Sequence, residues 1–279
     1  MRESGDDSPA VGEPGAAGSA VVAAEPARSA LPWLGTSGWT PALRLFCFPH
    51  AGGGAAVFRP WVSGDGRARI QICPVRPPGR ETRWGEPVLG RVADLAEDFL
   101  RAAAPLLTTP FALLGNSLGS LVASEVARQV HERGLPAPVH LLVAASAAPG
   151  TDARRVQLSG LSDAKFAGEL QRRYGGIPDT ILNDPEHLEA YLPTLHGDVV
   201  AGETYRPDPE PRLTCPVTAL VGVADSSVPV GSVDGWRTRT TGPFARHVLP
   251  GGHFAVLDHR EFVLRILEAD APIRQNAHL

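Results

Sequence analysis

The sequence predicts an α/β fold, a mostly parallel sheet with helices on both faces and a helical lid inserted late in the chain. Three observations predict it. Six short, nearly continuous apolar runs recur between residues 43 and 253, and strands buried on both faces read that way rather than alternating apolar with polar. Helical patterns separate most of these runs, as parallel strands require crossover connections. The alternation then fails from Arg154 to about Arg206, where two or three helical patterns follow one another without a strand.

In order, residues 1–40 are rich in Ala, Gly, Pro and Ser without sustained periodicity, and read as a disordered N-terminal tail. The folded domain is then residues 41–279, opening at "ALRLFCFPHAGGG", an apolar strand ended by His50 and a glycine cluster. The other strand candidates are "RIQICPV", "FALLGNS", "VHLLVAASA", "VTALVGVAD" and "RHVLPGGH". Apolar residues at helical spacing mark "VLGRVADLAEDFLRAAAPLL", and Leu118, Val122, Val126 and Val130 recur every four residues after the third strand. In the insertion, about 154–206, Phe166, Leu170 and Tyr174 share one helical face, with Ser162 placed to cap its start. Helices inserted between sheet strands serve as a lid over a site or as extra packing; the position before "VGVAD" favours a lid.

Composition narrows the function. A formal charge of −4 gives no electrostatic case for nucleic acid or an anionic membrane surface. No apolar run nears the ~20 residues of a membrane helix, and the acidic N-terminus lacks the features of a signal peptide. A cytoplasmic location is therefore expected. Cys47, Cys73 and Cys215 form no CxxC pair, and are expected as buried, reduced thiols. The glycine cluster after His50 has neither the GxGxxG spacing nor the Lys-Ser/Thr of a phosphate loop. No cofactor or metal is expected.

The chemistry points to "GNSLG". With 30 glycines in the chain, a bare Gly-x-Ser-x-Gly match has little weight. Its context has more, because an apolar strand precedes it and a helical pattern follows. A serine on so sharp a strand-to-helix turn has its hydroxyl thrust outward, and the close backbone approach leaves no room for side chains at Gly115 and Gly119. The Leu118 amide, at a helix N-terminus, then faces the oxyanion formed when Ser117 attacks a carbonyl. A serine nucleophile needs a base, and the base an orienter. His253 ends the last strand in a Gly-Gly loop, and Asp225 closes "VTALVGVAD". Taken singly, His253 reads equally as a loop histidine and Asp225 as a helix cap. Jointly, Ser117, Asp225 and His253 follow one another in the chain order of the α/β-hydrolase triad. The loop "PHAGGG" supplies a second oxyanion donor, the Ala51 amide.

These pieces resemble the type II thioesterases, discrete α/β-hydrolases that accompany polyketide and nonribosomal peptide synthases. The resemblance covers roughly residues 43–270 and rests on "LFCFPHAGGG", "PPGRETR", "GNSLGS", "YGGIPDTIL", "LPTLHGDVVAGETY", "CPVTALVGVAD" and "PGGHF". It implies Ser117, Asp225 and His253 as the triad, Ala51 and Leu118 as the oxyanion hole, and as substrates acyl groups on the phosphopantetheine arms of acyl or peptidyl carrier proteins. The implied role is editing of stalled or misprimed acyl groups, by a monomer. Two departures stand out: Asn116-Ser117-Leu118 where the family usually has His-Ser-Met, and "GVADSSV" in place of the usual Gly-Gly turn and Asp-Pro pair. Arg154, Arg155, Arg172 and Arg173 could receive an acidic carrier, or form an ordinary solvated face. The alternatives are a product-releasing or cyclising thioesterase, a general serine carboxylesterase, and a protein that binds a synthase without catalysis.

Overall fold

The computed structural model describes residues 1, 30–31, 41–62, 68–151, 157–208, 210 and 212–269. Six strands form one sheet: β1 (Leu43–Phe48), β2 (Ile70–Pro74), β3 (Phe111–Asn116), β4 (His140–Ala144), β5 (Val217–Gly222) and β6 (Phe244–Leu249). Each coincides with one of the six apolar runs. Their order is β2-β1-β3-β4-β5-β6 and every pairing is parallel, so the C-terminal ends of all strands lie along one edge. β1, β3, β4 and β5 carry almost only buried residues, because helices cover both faces.

Helices α1 (Val92–Ala103) and α2 (Leu118–Glu132) pack against one another on one face. There α1 buries Leu95, Ala96, Phe99 and Leu100, and Phe46 and Phe48 of β1 meet Phe99 edge-to-face at centroid distances of 5.1 and 4.8 Å. Full burial of each such side chain is worth about 1.5–3 kcal/mol, and the aromatic geometry adds about 0.5–1.5 kcal/mol per pair. The other face is covered by the 3₁₀ turn Ala55–Trp61 and by helix α6 (Arg260–Ala269), through Phe58, Trp61, Val263 and Leu267. The three cysteines are buried and unbonded to one another, and burial pushes the Cys73 and Cys215 thiols up to about 12.

The strand-free insertion folds as α3 (Asp163–Tyr174), α4 (Asp179–Leu182) and α5 (Pro185–Thr204). These helices share a small core of their own, with Phe166, Leu170, Ile177 and Leu195 buried together. Asp184 caps α5, accepting from the Glu186 and His187 amides at 3.0 and 3.2 Å ahead of Pro185 in the first turn. Ser162 does not act as the cap expected for α3. Its side chain makes no capping bond, and the exposed first turn leaves those amides to water.

Most of the stretch read as an N-terminal tail lies outside the described residues. Ala30 and Leu31 are described, and both are buried, with the Ala30 carbonyl accepting from the Arg76 amide at 2.7 Å. Their two apolar side chains join the core that α1 and α2 cover. Among the described residues, no helix is long and apolar enough to cross a membrane.

Candidate active site

β3 ends at Asn116 and α2 begins at Leu118, so a single residue makes the turn. That residue, Ser117, has φ 55° and ψ −116°, a conformation that costs a non-glycine residue about 1–3 kcal/mol. The turn is held from several sides. The Ser117 amide donates to the Ala144 carbonyl at 2.8 Å. The Ser120 hydroxyl, fully buried one residue beyond the second glycine, lies 2.9 Å from both the Gly115 and Ala144 carbonyls and accepts from the Ala144 amide at 3.0 Å. A Cβ at Gly115 would overlap the Gly119 carbonyl, and one at Gly119 would overlap the Phe48 carbonyl. Both glycines are thus required by backbone packing, as the motif implied.

Asp225 and His253 come from the loops after β5 and β6, at the same edge of the sheet as Ser117. The structure brings the three side chains together. His253 Nε2 lies 3.0 Å from Ser117 Oγ, and His253 Nδ1 lies 2.8 Å from Asp225 Oδ2. A carboxylate only accepts, so Nδ1 carries the proton and the Nε2 lone pair faces the serine hydroxyl. Burial pushes the Asp225 carboxyl up, but its hydrogen bond to His253, the imidazole's charge and the Ser227 bonds outweigh this and hold it below the usual carboxylate range. Asp225 Oδ1 accepts from the Ser227 and Val228 amides at 2.9 and 3.2 Å within a loop; it caps no helix, since the next helical segment starts at Val230 with Pro229 at its N-cap.

The amides of Ala51 and Leu118, expected as oxyanion donors, have no hydrogen-bond partner among the described residues, whereas their neighbours Gly52 and Gly53 do. Both N–H groups thus remain unengaged among the described residues. Asn116 is fully buried, and neither polar atom of its side chain has a partner among the described residues. It therefore makes no bond to the serine hydroxyl or the imidazole.

Sequence reasoning missed two polar contributors here. The Ser227 hydroxyl donates to Asp225 Oδ1 at 2.5 Å and lies 3.1 Å from His253 Nδ1, clasping acid and imidazole together. Its only signal was the departure "DSSV". The second is His50, whose ring meets Phe254 at 4.6 Å and whose Nδ1 is buried without a hydrogen-bond partner among the described residues. Burial, with the nearby charges of His253 and Arg80, lowers its pKa from 6.5 to about 4. Between those pH values the unfolded chain binds a proton at His50 that the folded chain does not, so stability falls as pH drops through this window. A His50→Asn variant is expected to show a shallower decline of its urea midpoint between pH 6.5 and 4, checked by fluorescence titration.

The inserted helices roof the site. Tyr174 of α3 lies with its ring 5.0 Å from His253, Phe254 packs against Gly176, and Gly202 of α5 sits over Leu118. Beside Leu118 lies a cavity of about 20 Å³, lined by Phe48, Leu95, Phe99 and Val122 and large enough for about one water. The arginines considered as a docking face are not free cations. Arg172 and Arg173 both bind Glu169 of their own helix, and Arg154 and Arg155 lie outside the described residues. Among the described residues, no cluster of His, Cys, Asp and Glu could hold a metal.

Comparison with known proteins agrees with this geometry. Residues 43–271 match the family model described as thioesterase domain. The chain is 35% identical to the gramicidin S biosynthesis protein GrsT of Aneurinibacillus migulanus, over 78% of this chain and 84% of that one. It is 39% identical to the thioesterase PikA5 of Streptomyces venezuelae, over 78% and 76% of the two chains. Among solved structures it is similar to the type II thioesterase BorB from the borrelidin biosynthetic cluster, with TM-score 0.72 and 34% identity over 82% of this chain and 94% of that one. A serine presented on a strained turn at the edge of a six-stranded parallel sheet, under inserted helices, thus sits in a chain that belongs to the type II thioesterases, serine hydrolases of the α/β-hydrolase fold that act on thioesters.

Proposed function

We propose that the protein hydrolyses acyl thioesters from the phosphopantetheine arms of acyl or peptidyl carrier proteins, with Ser117 as nucleophile, His253 as general base and acid, and Asp225 as the residue that orients His253. The observation that carries this reading is the unbroken run of contacts from Asp225 Oδ2 to His253 at 2.8 Å and from His253 to Ser117 Oγ at 3.0 Å, beside two unengaged amides. His253 takes the Ser117 proton as Oγ bonds to the thioester carbonyl carbon, and the Ala51 and Leu118 amides stabilise the resulting oxyanion. Collapse of that adduct breaks the carbon–sulfur bond. A thiol of pKa about 8.5 leaves readily as thiolate, and the imidazolium's proton passes to the departing sulfur, which returns His253 to its basic form. Water, deprotonated by His253, then attacks the acyl-serine, and release of the acid returns the proton to Ser117.

Relatives named for gramicidin S biosynthesis and for the borrelidin cluster support a place beside such synthases, and editing of stalled or misprimed acyl groups suits a discrete hydrolase. We assign this activity to residues 41–279 acting as a monomer in the cytoplasm, with Ala30 and Leu31 of the preceding stretch packed on its core. The test is turnover of acetyl- and propionyl-phosphopantetheine carriers beside simple aryl esters. Faster release from the carriers is expected. Activity confined to small oxyesters would instead identify a general esterase, and a lactone or other cyclic product a cyclising enzyme.

A further inference from the structure

Besides its own turn bond, from the Gly53 amide to the His50 carbonyl at 2.9 Å, the loop that carries Ala51 is held from two directions. From the body of the domain, Glu81 accepts from the Ala56 amide at 2.8 Å while also binding Arg76 at 2.7 Å. Much nearer to Ala51, the anchor comes from the inserted helices. Asp198 of α5 accepts from the Gly52 amide at 2.7 Å through Oδ2. The same carboxylate takes both terminal nitrogens of Arg80, at 2.7 and 3.1 Å, and one of those nitrogens also donates to the Gly53 carbonyl at 3.1 Å. Arg80 Nε is fixed by the Pro78 carbonyl at 3.0 Å. Both partners are buried, with side chains only 5% and 1% exposed. Tyr191 and Leu195 of the same helix press on Gly52, which has φ +75° and no space for a Cβ.

The geometry points to Asp198 and Arg80 as positioning residues that aim the Ala51 amide, and so make the oxyanion hole conditional on α5 being seated. The inference rests on the proposed Ser117 mechanism. Gly52 and Gly53 directly follow Ala51, and a glycine-rich segment has little stiffness of its own. Fixing the Gly52 N–H and the Gly53 carbonyl on one forked ion pair removes the freedom of the peptide planes beside the donor. A surface ion pair could not do this, because it is screened and mobile; a buried bidentate one has a single good arrangement. When α5 lifts, the carboxylate leaves with it, and Ala51 loses its aim while Ser117, His253 and Asp225, held by the sheet edge, keep theirs.

The experiment compares wild type, Asp198→Asn, Arg80→Lys, Thr194→Val and Ser117→Ala with propionyl-pantetheine thioester as substrate and a pantetheine-linked trifluoromethyl ketone as oxyanion-mimicking inhibitor. For Asp198→Asn, kcat is expected to fall roughly 100-fold with KM nearly unchanged, and the ketone to bind weaker by a similar factor. The acid limb of the pH profile of kcat/KM, which reports His253, is expected to stay in place. Arg80→Lys keeps the charge but loses the fork, and is expected to lose roughly 10-fold in both readouts. It also serves should Asp198→Asn fail to fold. Thr194→Val cuts a different tie of α5, its 2.8 Å bond to the Gly79 carbonyl, and is expected to leave ketone affinity unaltered. A folded Asp198→Asn or Arg80→Lys with wild-type kcat and ketone affinity overturns the inference, as does an equal loss in Thr194→Val. Wild-type turnover that persists in Ser117→Ala would overturn the underlying mechanism instead.

Discussion

Replacing Ser117 with alanine is expected to lower thioester turnover by roughly 10⁶-fold and to abolish labelling by a fluorophosphonate probe. The size of the effect follows from the site's construction. The covalent route runs through that oxygen: without it the imidazole 3.0 Å away can activate only water, and the two open amides serve only that slow direct attack. The alanine variant is expected to fold, since the backbone bonds that hold the turn, from the Ser117 amide and the Ser120 hydroxyl, do not involve the lost group. Mass spectrometry after incubation with propionyl-pantetheine should show an acyl adduct on wild type and none on the variant. Labelling that survives the substitution would show that another nucleophile does the chemistry, whereas a wild-type Ser117 that never labels would favour a synthase-binding protein without catalysis.

Asp225→Asn should leave a slower but real enzyme, with kcat down about 10⁴-fold. An asparagine amide can donate to His253 Nδ1, which moves the ring proton to Nε2 and turns the wrong nitrogen toward Ser117. The imidazolium formed during attack also loses the anion that stabilises it. Ser227 makes the outcome more specific, because its hydroxyl bridges Asp225 and His253 and holds the ring in place even when the charge is gone. The variant should therefore still acylate slowly, as single-turnover release of thiol would reveal. Equal, near-wild-type rates in both substitutions would mean that the roles lie elsewhere.

Much of this site could be read before the coordinates, for a physical reason. β1, β3, β4 and β5 are buried on both faces, so each appears as an unbroken apolar run, and a parallel sheet collects its strand ends on one edge. A serine, an aspartate and a histidine at three such ends had to meet. The Arg80–Asp198 pair could not be read this way. Its members lie 118 positions apart, neither sits at a strand end, and a buried ion pair leaves no periodic trace. Ser120 was invisible for a related reason, since a serine that stitches backbone looks like any serine beside a glycine-rich turn. The 3₁₀ segments Val230–Arg239 and Ala255–Asp258 carry no 3.6-residue pattern to detect. Arg172 and Arg173 share the Glu169 carboxylate one helical turn behind them, a pairing that helical spacing makes possible.

The cavity beside Leu118 has one further consequence. It is lined by Arg80 and Asp198 as well, so a ligand that enters it meets the ion pair that holds the Ala51 loop. With Asp198 of α5 aiming Ala51, a substrate seated there is cleaved only while that helix is in place. Acyl groups would then be sorted by whether the roof can close on them, and a bulky chain held beneath a propped roof would occupy the enzyme as an inhibitor rather than escape it as a poor ligand.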